Sequence, residues 1–156
     1  MGTESTSHGL DSLASEAVAP RDCSIADALS LLGEKWTLLA IREMLYGAHR
    51  FDQIAGFTGA TRDILVERLR KLEENGVIER RQYSERPPRY DYHLTESGQH
   101  LAPVLMALGA WGRDWASGST PPRGFLHECG QPLQIDYVCH SCGEGVSADS
   151  VRPMHD

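Results

Sequence analysis

The chain has no apolar run approaching the roughly 20 residues that a membrane-spanning helix needs. No charged-then-apolar leader opens it, so a soluble, cytoplasmic protein with no membrane partner is expected. The short signatures of common catalytic sites are missing too: there is no HExxH, no glycine-rich phosphate loop and no nucleophile elbow. An enzyme is therefore not expected. Of the seven histidines, His8, His49, His93, His100 and His155 have no partner visible in sequence. Cysteine is scarce, with four in all, and a cytosolic setting disfavours pairing them as disulfides. Positive charge is not in excess either. A net charge of −7 argues against indiscriminate nucleic-acid binding, so the distribution of charge matters more than its sum.

That distribution is uneven. Residues 59–93 hold eight Lys/Arg against seven acids, a local +1 with −8 elsewhere. Residues 80–90 hold four bases (Arg80, Arg81, Arg86, Arg89) against the single acid Glu85. The chain is organised around this region. Phe51, Ile54 and Ala55 mark one face of a short helix, and a turn follows at Phe57-Thr58-Gly59. A second helix is expected over residues 61–75, with Thr61 as N-cap and Asn75-Gly76 as stop signal. Leu65, Leu69 and Leu72 form its inner stripe, while Arg62, Asp63, Val66, Glu67 and Arg70 face outward. At about 22 Å this helix is long enough to cross a major groove about 12 Å wide. Two strands at 77–83 and 90–94 then flank a loop, Ser84-Glu85-Arg86-Pro87-Pro88-Arg89, stiffened by proline and tipped with arginine.

Helix, turn, helix and basic hairpin, in that order, define a winged helix-turn-helix: a mainly α fold with a small β-hairpin. The expected partner is double-stranded DNA. Arg62 and Arg70 are then candidate contacts on the helix, and Arg86 and Arg89 on the wing, where positive charge meets phosphate. The alternative is a solvated helix beside an ordinary hairpin.

The remaining elements supply the frame. Residues 1–20, rich in Ser, Thr, Ala and Gly, read as a flexible N-terminal arm, and the DNA-binding and dimerisation domain as residues 21–117. A first helix over 23–32 presents Ile25, Ala28, Leu29 and Leu32 on one face. A second over 36–46 is apolar around most of its circumference and belongs in a helical core. A long last helix over 95–116 carries Leu101, Val104, Leu105, Leu108, Trp111 and Trp115, with Pro103 expected to bend it. Too little domain remains to cover that face. The expected cover is a second copy, with the first helix helping; a twofold dimer would also set two recognition helices on successive turns of DNA.

Cys23 with the helix through Leu32, then Gly33-Glu34-Lys35-Trp36-Thr37-Leu38-Leu39 and Arg42-Glu43, resembles the start of the HxlR family of bacterial winged-helix regulators. Arg50-Phe51-Asp52-Gln53-Ile54, Leu65 with Arg68-Leu69, Leu72-Glu73, Gly76-Val77-Ile78, Pro87-Pro88-Arg89, Tyr92-His93-Leu94-Thr95 and Gly98 continue the pattern. The resemblance implies a homodimeric DNA-binding regulator whose first and last helices meet at the interface. It places Thr61, Arg62, Val66 and Arg68 on the recognition helix and Arg86 and Arg89 on the wing. Asp63 and Glu67 depart from it: an acid can accept from a cytosine amino group but repels phosphate. The resemblance also makes Cys23 a candidate redox sensor, since some relatives use a cysteine there; a small buried side chain is the other reading. Whether a small-molecule effector binds near the dimer interface is left open.

A second constellation follows a Ser/Gly/Thr/Pro-rich linker at 118–126. His127-x-Cys129-Gly130 and Cys139-x-x-Cys142-Gly143 are two ligand pairs, each ending in glycine, with nine residues between Cys129 and Cys139. This resembles a small zinc ribbon over residues 127–156, with structural zinc held by His127, Cys129, Cys139 and Cys142; His140, between two of these ligands, is the alternative to His127. A redox Cys139/Cys142 pair is disfavoured because Gly-Glu-Gly-Val is a poor helix start. Two other functions stay in view: a thiol- or metal-responsive sensor with Cys23 or the ribbon as receiver, and a winged-helix protein-interaction module suited to the acidic total.

Overall fold

The computed structural model describes residues 22–116 and 125–152. The arm expected at 1–20 and most of the expected linker lie outside them. Six helices and one hairpin follow in order: α1 (Ser24–Leu32), α2 (Lys35–Leu45), α3 (Phe51–Thr58), α4 (Arg62–Glu74), β1 (Ile78–Glu85), β2 (Pro88–Leu94), α5 (Glu96–Gln99) and α6 (Ala102–Trp115).

The centre is α2, which packs against α1, α3, α4, α6 and β2. It buries Thr37, Ala40, Ile41 and Met44, as an almost wholly apolar helix should. Buried Glu43 is held by its neighbour, the Arg42 Nε–H donating to it at 2.8 Å. Around α2 gather Ala48, Ile54, Ala60, Leu65, Leu69, Leu72, Val77 and Ile78, which complete the core.

Turn chemistry sets the angle between α3 and α4. Gly59 ends α3 with φ +75°, a conformation side-chain-bearing residues avoid, and its N–H caps the Ala55 carbonyl. The Thr58 hydroxyl donates to the Ile54 carbonyl at 2.7 Å. Thr61 is the N-cap of α4, as its residue type suggested, though its hydroxyl makes no capping bond. Asn75 ends the helix, and Gly76 at φ +68° turns the chain into β1.

The hairpin is antiparallel, pairing Ile78 with Leu94 at its base and Glu85 with Pro88 at its tip. Pairing thus runs closer to the tip than the sequence suggested. A bulge falls between Gln82 and Ser84 and leaves Tyr83 without a direct partner. The sequence alternates Tyr90, Tyr92 and Leu94 with Asp91 and His93, but burial along β2 does not follow it: Tyr90 is exposed, and Asp91, Tyr92, His93 and Leu94 are all half-buried.

The last helix is not one bent rod. It is two helices, with the break at His100-Leu101 and Pro103 in the first turn of α6. Proline has its missing N–H and fixed φ where a new helix begins, so it starts α6 rather than kinking a longer one. Thr95 locks α5 beneath the hairpin: its hydroxyl lies 2.6 Å from the Gly76 carbonyl and accepts from the Gly98 N–H. Gly98 is buried, and a Cβ there would run into the Val77 carbonyl oxygen.

Neither α1 nor α6 buries a single residue. Val104, Leu108, Trp111 and Trp115 form an exposed stripe along α6, with Trp115 77% accessible. Ile25 and Leu29 are exposed on α1.

Candidate nucleic-acid interface

The leucines of α4 decide which side of it is free. Leu65, Leu69 and Leu72 are buried, and this turns Thr61, Arg62, Asp63, Val66, Glu67 and Arg70 to solvent. The Arg62 guanidinium lies 4.8 Å from the centre of the Phe51 ring, which ties the start of α4 to the start of α3. Arg70 pairs with Glu74 one turn on at 2.6 Å, so part of its charge is already compensated.

Arg68 does not belong to this face. Its side chain is only 13% accessible and forms ion pairs with Glu34, from the α1–α2 turn, and with Glu67 at 3.3 Å. The Lys71 ammonium reaches the same turn, donating to the Ser30 carbonyl at 2.7 Å. These two bases clasp α4 to the α1–α2 turn. The expectation that Arg68 contacts DNA meets an intramolecular competitor: a helix position three residues beyond a buried leucine lies at the edge of the core face, and here Glu34 pairs with it.

The wing also neutralises part of its charge internally. Arg80 donates to Glu73 at 2.8 Å, which raises its pKa, and Arg81 pairs with Glu79 at 2.6 Å. Within residues 59–93, Arg62, Arg86 and Arg89 are left with no ion pair among the described residues. They sit at the start of α4 and on the hairpin tip, the two places where positive charge is wanted for a duplex.

Sequence reading missed two contributors. Arg50, which precedes α3, lies over the Tyr83 ring at 4.3 Å and donates to the Tyr83 hydroxyl at 3.4 Å. Arg50 also forms an antiparallel bridge with Asp91. The bulge that puts Tyr83 there has no pattern of its own in the sequence, and the exposure of Tyr83 and Tyr90 shows only in the structure.

Cys23, the candidate sensor, is exposed at the N-cap of α1, and no cysteine is in a disulfide. The C-terminal ligand pairs sit in two separate turns. The His127 turn is closed by the Gly130 N–H donating to the His127 carbonyl at 2.8 Å. The Cys139 turn is closed by the Gly143 N–H donating to the Cys139 carbonyl at 2.7 Å. Backbone N–H groups of Ser141 and Cys142 hold the Cys139 thiol below its ordinary pKa. Among the described residues no three His, Cys, Asp or Glu side chains converge as a metal cluster. The spacer 133–138, whose apolar residues suggest a strand, forms none; only isolated bridges flank the turns, Leu126 with Pro132 and Val138 with Gly145. The Phe125 ring, 5.1 Å from that of Tyr46, brings this segment against the end of α2.

A three-helix core carrying an exposed second helix of a helix-turn-helix and a two-stranded wing defines a winged helix-turn-helix protein. The HxlR-like helix-turn-helix family model matches residues 31–120, and the chain belongs to that family. It is 39% identical to the uncharacterised HTH-type transcriptional regulator Rv3095 of Mycobacterium tuberculosis, over 83% of this chain and 84% of that protein. Among solved structures it is similar to PA1607, a candidate transcription factor, with a TM-score of 0.75, 30% identity, and 86% and 95% of the two chains covered. It is similar also to the reduced form of the transcriptional regulator YodB from Bacillus subtilis, with a TM-score of 0.53, 32% identity, and 64% and 100% covered. The family and these relatives are transcriptional regulators, not enzymes. No helix among the described residues is long and apolar enough to cross a membrane.

Proposed function

We propose that this protein is a homodimeric, sequence-specific DNA-binding regulator. The outer face of α4 enters the major groove, and the hairpin tip lies on the flanking backbone and minor groove. The observation that carries this reading is the location of uncompensated charge. Most arginines of the domain are paired with acids, whereas Arg62, Arg86 and Arg89 keep their charge for a partner that α4 and the wing can reach together. Thr61 and Val66 are the exposed neighbours that would meet base edges or the thymine methyl, and Arg70 a phosphate. Asp63 and Glu67 on the same face weaken non-specific attraction and favour discrimination between sequences.

The second copy is supported by α6. Four large apolar side chains at i, i+4, i+7 and i+11, all exposed, form a stripe too long for a surface that water covers. With Ile25 and Leu29 it suits a twofold interface of helices.

A labelled fragment of the protein's own promoter, challenged with excess unrelated duplex, tests the reading. Retention of the promoter complex under that challenge is the expected outcome. Equal competition by both duplexes would overturn sequence-specific binding. A sensor role for Cys23 rests on the family resemblance and on its exposed position at the N-cap of α1, and operator affinity unchanged by oxidant and by Cys23→Ser would remove it.

A further inference from the structure

Residues 125–152 contain no buried side chain and no helix longer than a single 3-10 turn, yet they take a defined form. It consists of two turns of one design. Each opens at an antiparallel bridge, Leu126 with Pro132 or Val138 with Gly145. Each offers its first donor just after the first bridge residue, His127 or Cys139. Each ends on a cysteine followed by a glycine at positive φ, Cys129-Gly130 (+81°) or Cys142-Gly143 (+75°). Such a glycine lets the backbone fold tightly behind the cysteine. So small a segment has no apolar core to hold it, and it has no disulfide. The coverage of PA1607 and Rv3095 is more than residues 1–116 could provide, so the likeness continues beyond α6.

We propose that the two turns close on one zinc ion with His127, Cys129, Cys139 and Cys142 as its four ligands. Three thiolates and an imidazole are the donor set of a closed tetrahedral zinc site, with bonds of about 2.3 Å to sulfur and 2.0 Å to nitrogen. Soft donors select zinc over magnesium or calcium. The two pairs do not converge in this structure, so binding the ion would draw the turns together across the irregular stretch 133–137. On binding, three thiol protons pass to solvent and His127 binds as the neutral ring. In the structure the Cys129 N–H donates to His127 Nδ1 at 3.3 Å, so coordination through Nε2 moves the ring proton to Nδ1 and gives up that bond. Full occupancy leaves no site for substrate, and the metal's task is to hold the segment folded.

Elemental analysis of the purified full-length chain, paired with cobalt substitution, tests this. One zinc per chain is expected in the wild type and in Cys23→Ser, and close to none in Cys139→Ser or Cys142→Ser. Far-ultraviolet circular dichroism should show the helices of those variants intact. Cobalt should give the intense visible bands of a tetrahedral thiolate site, shifted in His127→Ala. No stoichiometric zinc in wild type dialysed against zinc, with only weak octahedral cobalt bands, would overturn the site. An unchanged cobalt spectrum in His127→Ala would overturn His127 as fourth ligand.

Discussion

The Tyr92 N–H donates to the His49 carbonyl at 2.8 Å, and the His49 ring Nδ1–H donates back to the Tyr92 carbonyl at 3.0 Å. With the Arg50–Asp91 bridge beside it, this pair makes residues 49–50 a short third member of the hairpin. The wing is thereby fixed to the chain entering α3, and α3 is fixed to α4 through the Thr58-Gly59 turn. These few bonds tie the wing to the helix-turn-helix.

The His49 ring also stacks on that of His93, with centroids 4.3 Å apart. Burial first, then His49 and Arg81, push the His93 pKa below its usual 6.5. The folded state therefore holds fewer protons than the unfolded chain once pH drops under 6.5. This contribution to stability is complete above that pH and is lost as pH falls toward the lowered value. Melting temperature measured from neutral to mildly acid pH should fall in the wild type and fall less in His93→Gln. Parallel curves would contradict the assignment.

Arg68→Ala should cost stability, by about 1 kcal/mol, because it removes one of the two bases that hold α4 to the α1–α2 turn, while Lys71 stays beside Glu34. Denaturant unfolding checks this. At a temperature where the variant remains folded, its preference among operator sequences should match the wild type. A changed preference would return Arg68 to the recognition face.

Gly98→Ala should destabilise by about 1–3 kcal/mol, since the added methyl meets the Val77 carbonyl and one of them must move. A thermal melt decides it, and an unchanged midpoint would show that the backbone there yields freely.

Leu108→Asp, in the middle of the α6 stripe, should convert a dimer to a monomer without unfolding it, because Leu108 is exposed within one chain. Light scattering reads the mass. A dimer that survives this change would place the interface elsewhere.

The helices were legible because their signals are local. Thr61, Gly59 and Asn75-Gly76 mark ends by backbone preference, and all three inner leucines of α4 are buried as their spacing required. The uncovered α6 stripe was legible from periodicity as well. What stayed hidden depends on pairs distant in sequence. Glu34 captures Arg68 from another turn, and Arg50 finds Tyr83 only through the bulge. Pro103 was present as a signal, but a proline that starts a helix and one that bends a helix look alike until the preceding turn is seen to break. The two Cys-Gly turns of the C-terminal segment were plain in sequence, whereas the irregular course of the chain between them carried no local signal.

Hydroxyl-radical footprinting of the full-length protein on its promoter tests the central claim most directly. The expected result is two protected half-sites, related by twofold symmetry and centred about one helical turn, roughly 10 base pairs, apart. Protection at their flanks should weaken in Arg86→Ala and Arg89→Ala, and the salt dependence of binding should become shallower by about one unit for each phosphate that is no longer neutralised. A folded dimer that protects no position at low salt, or whose protection and salt slope are unchanged in both wing variants, would contradict it.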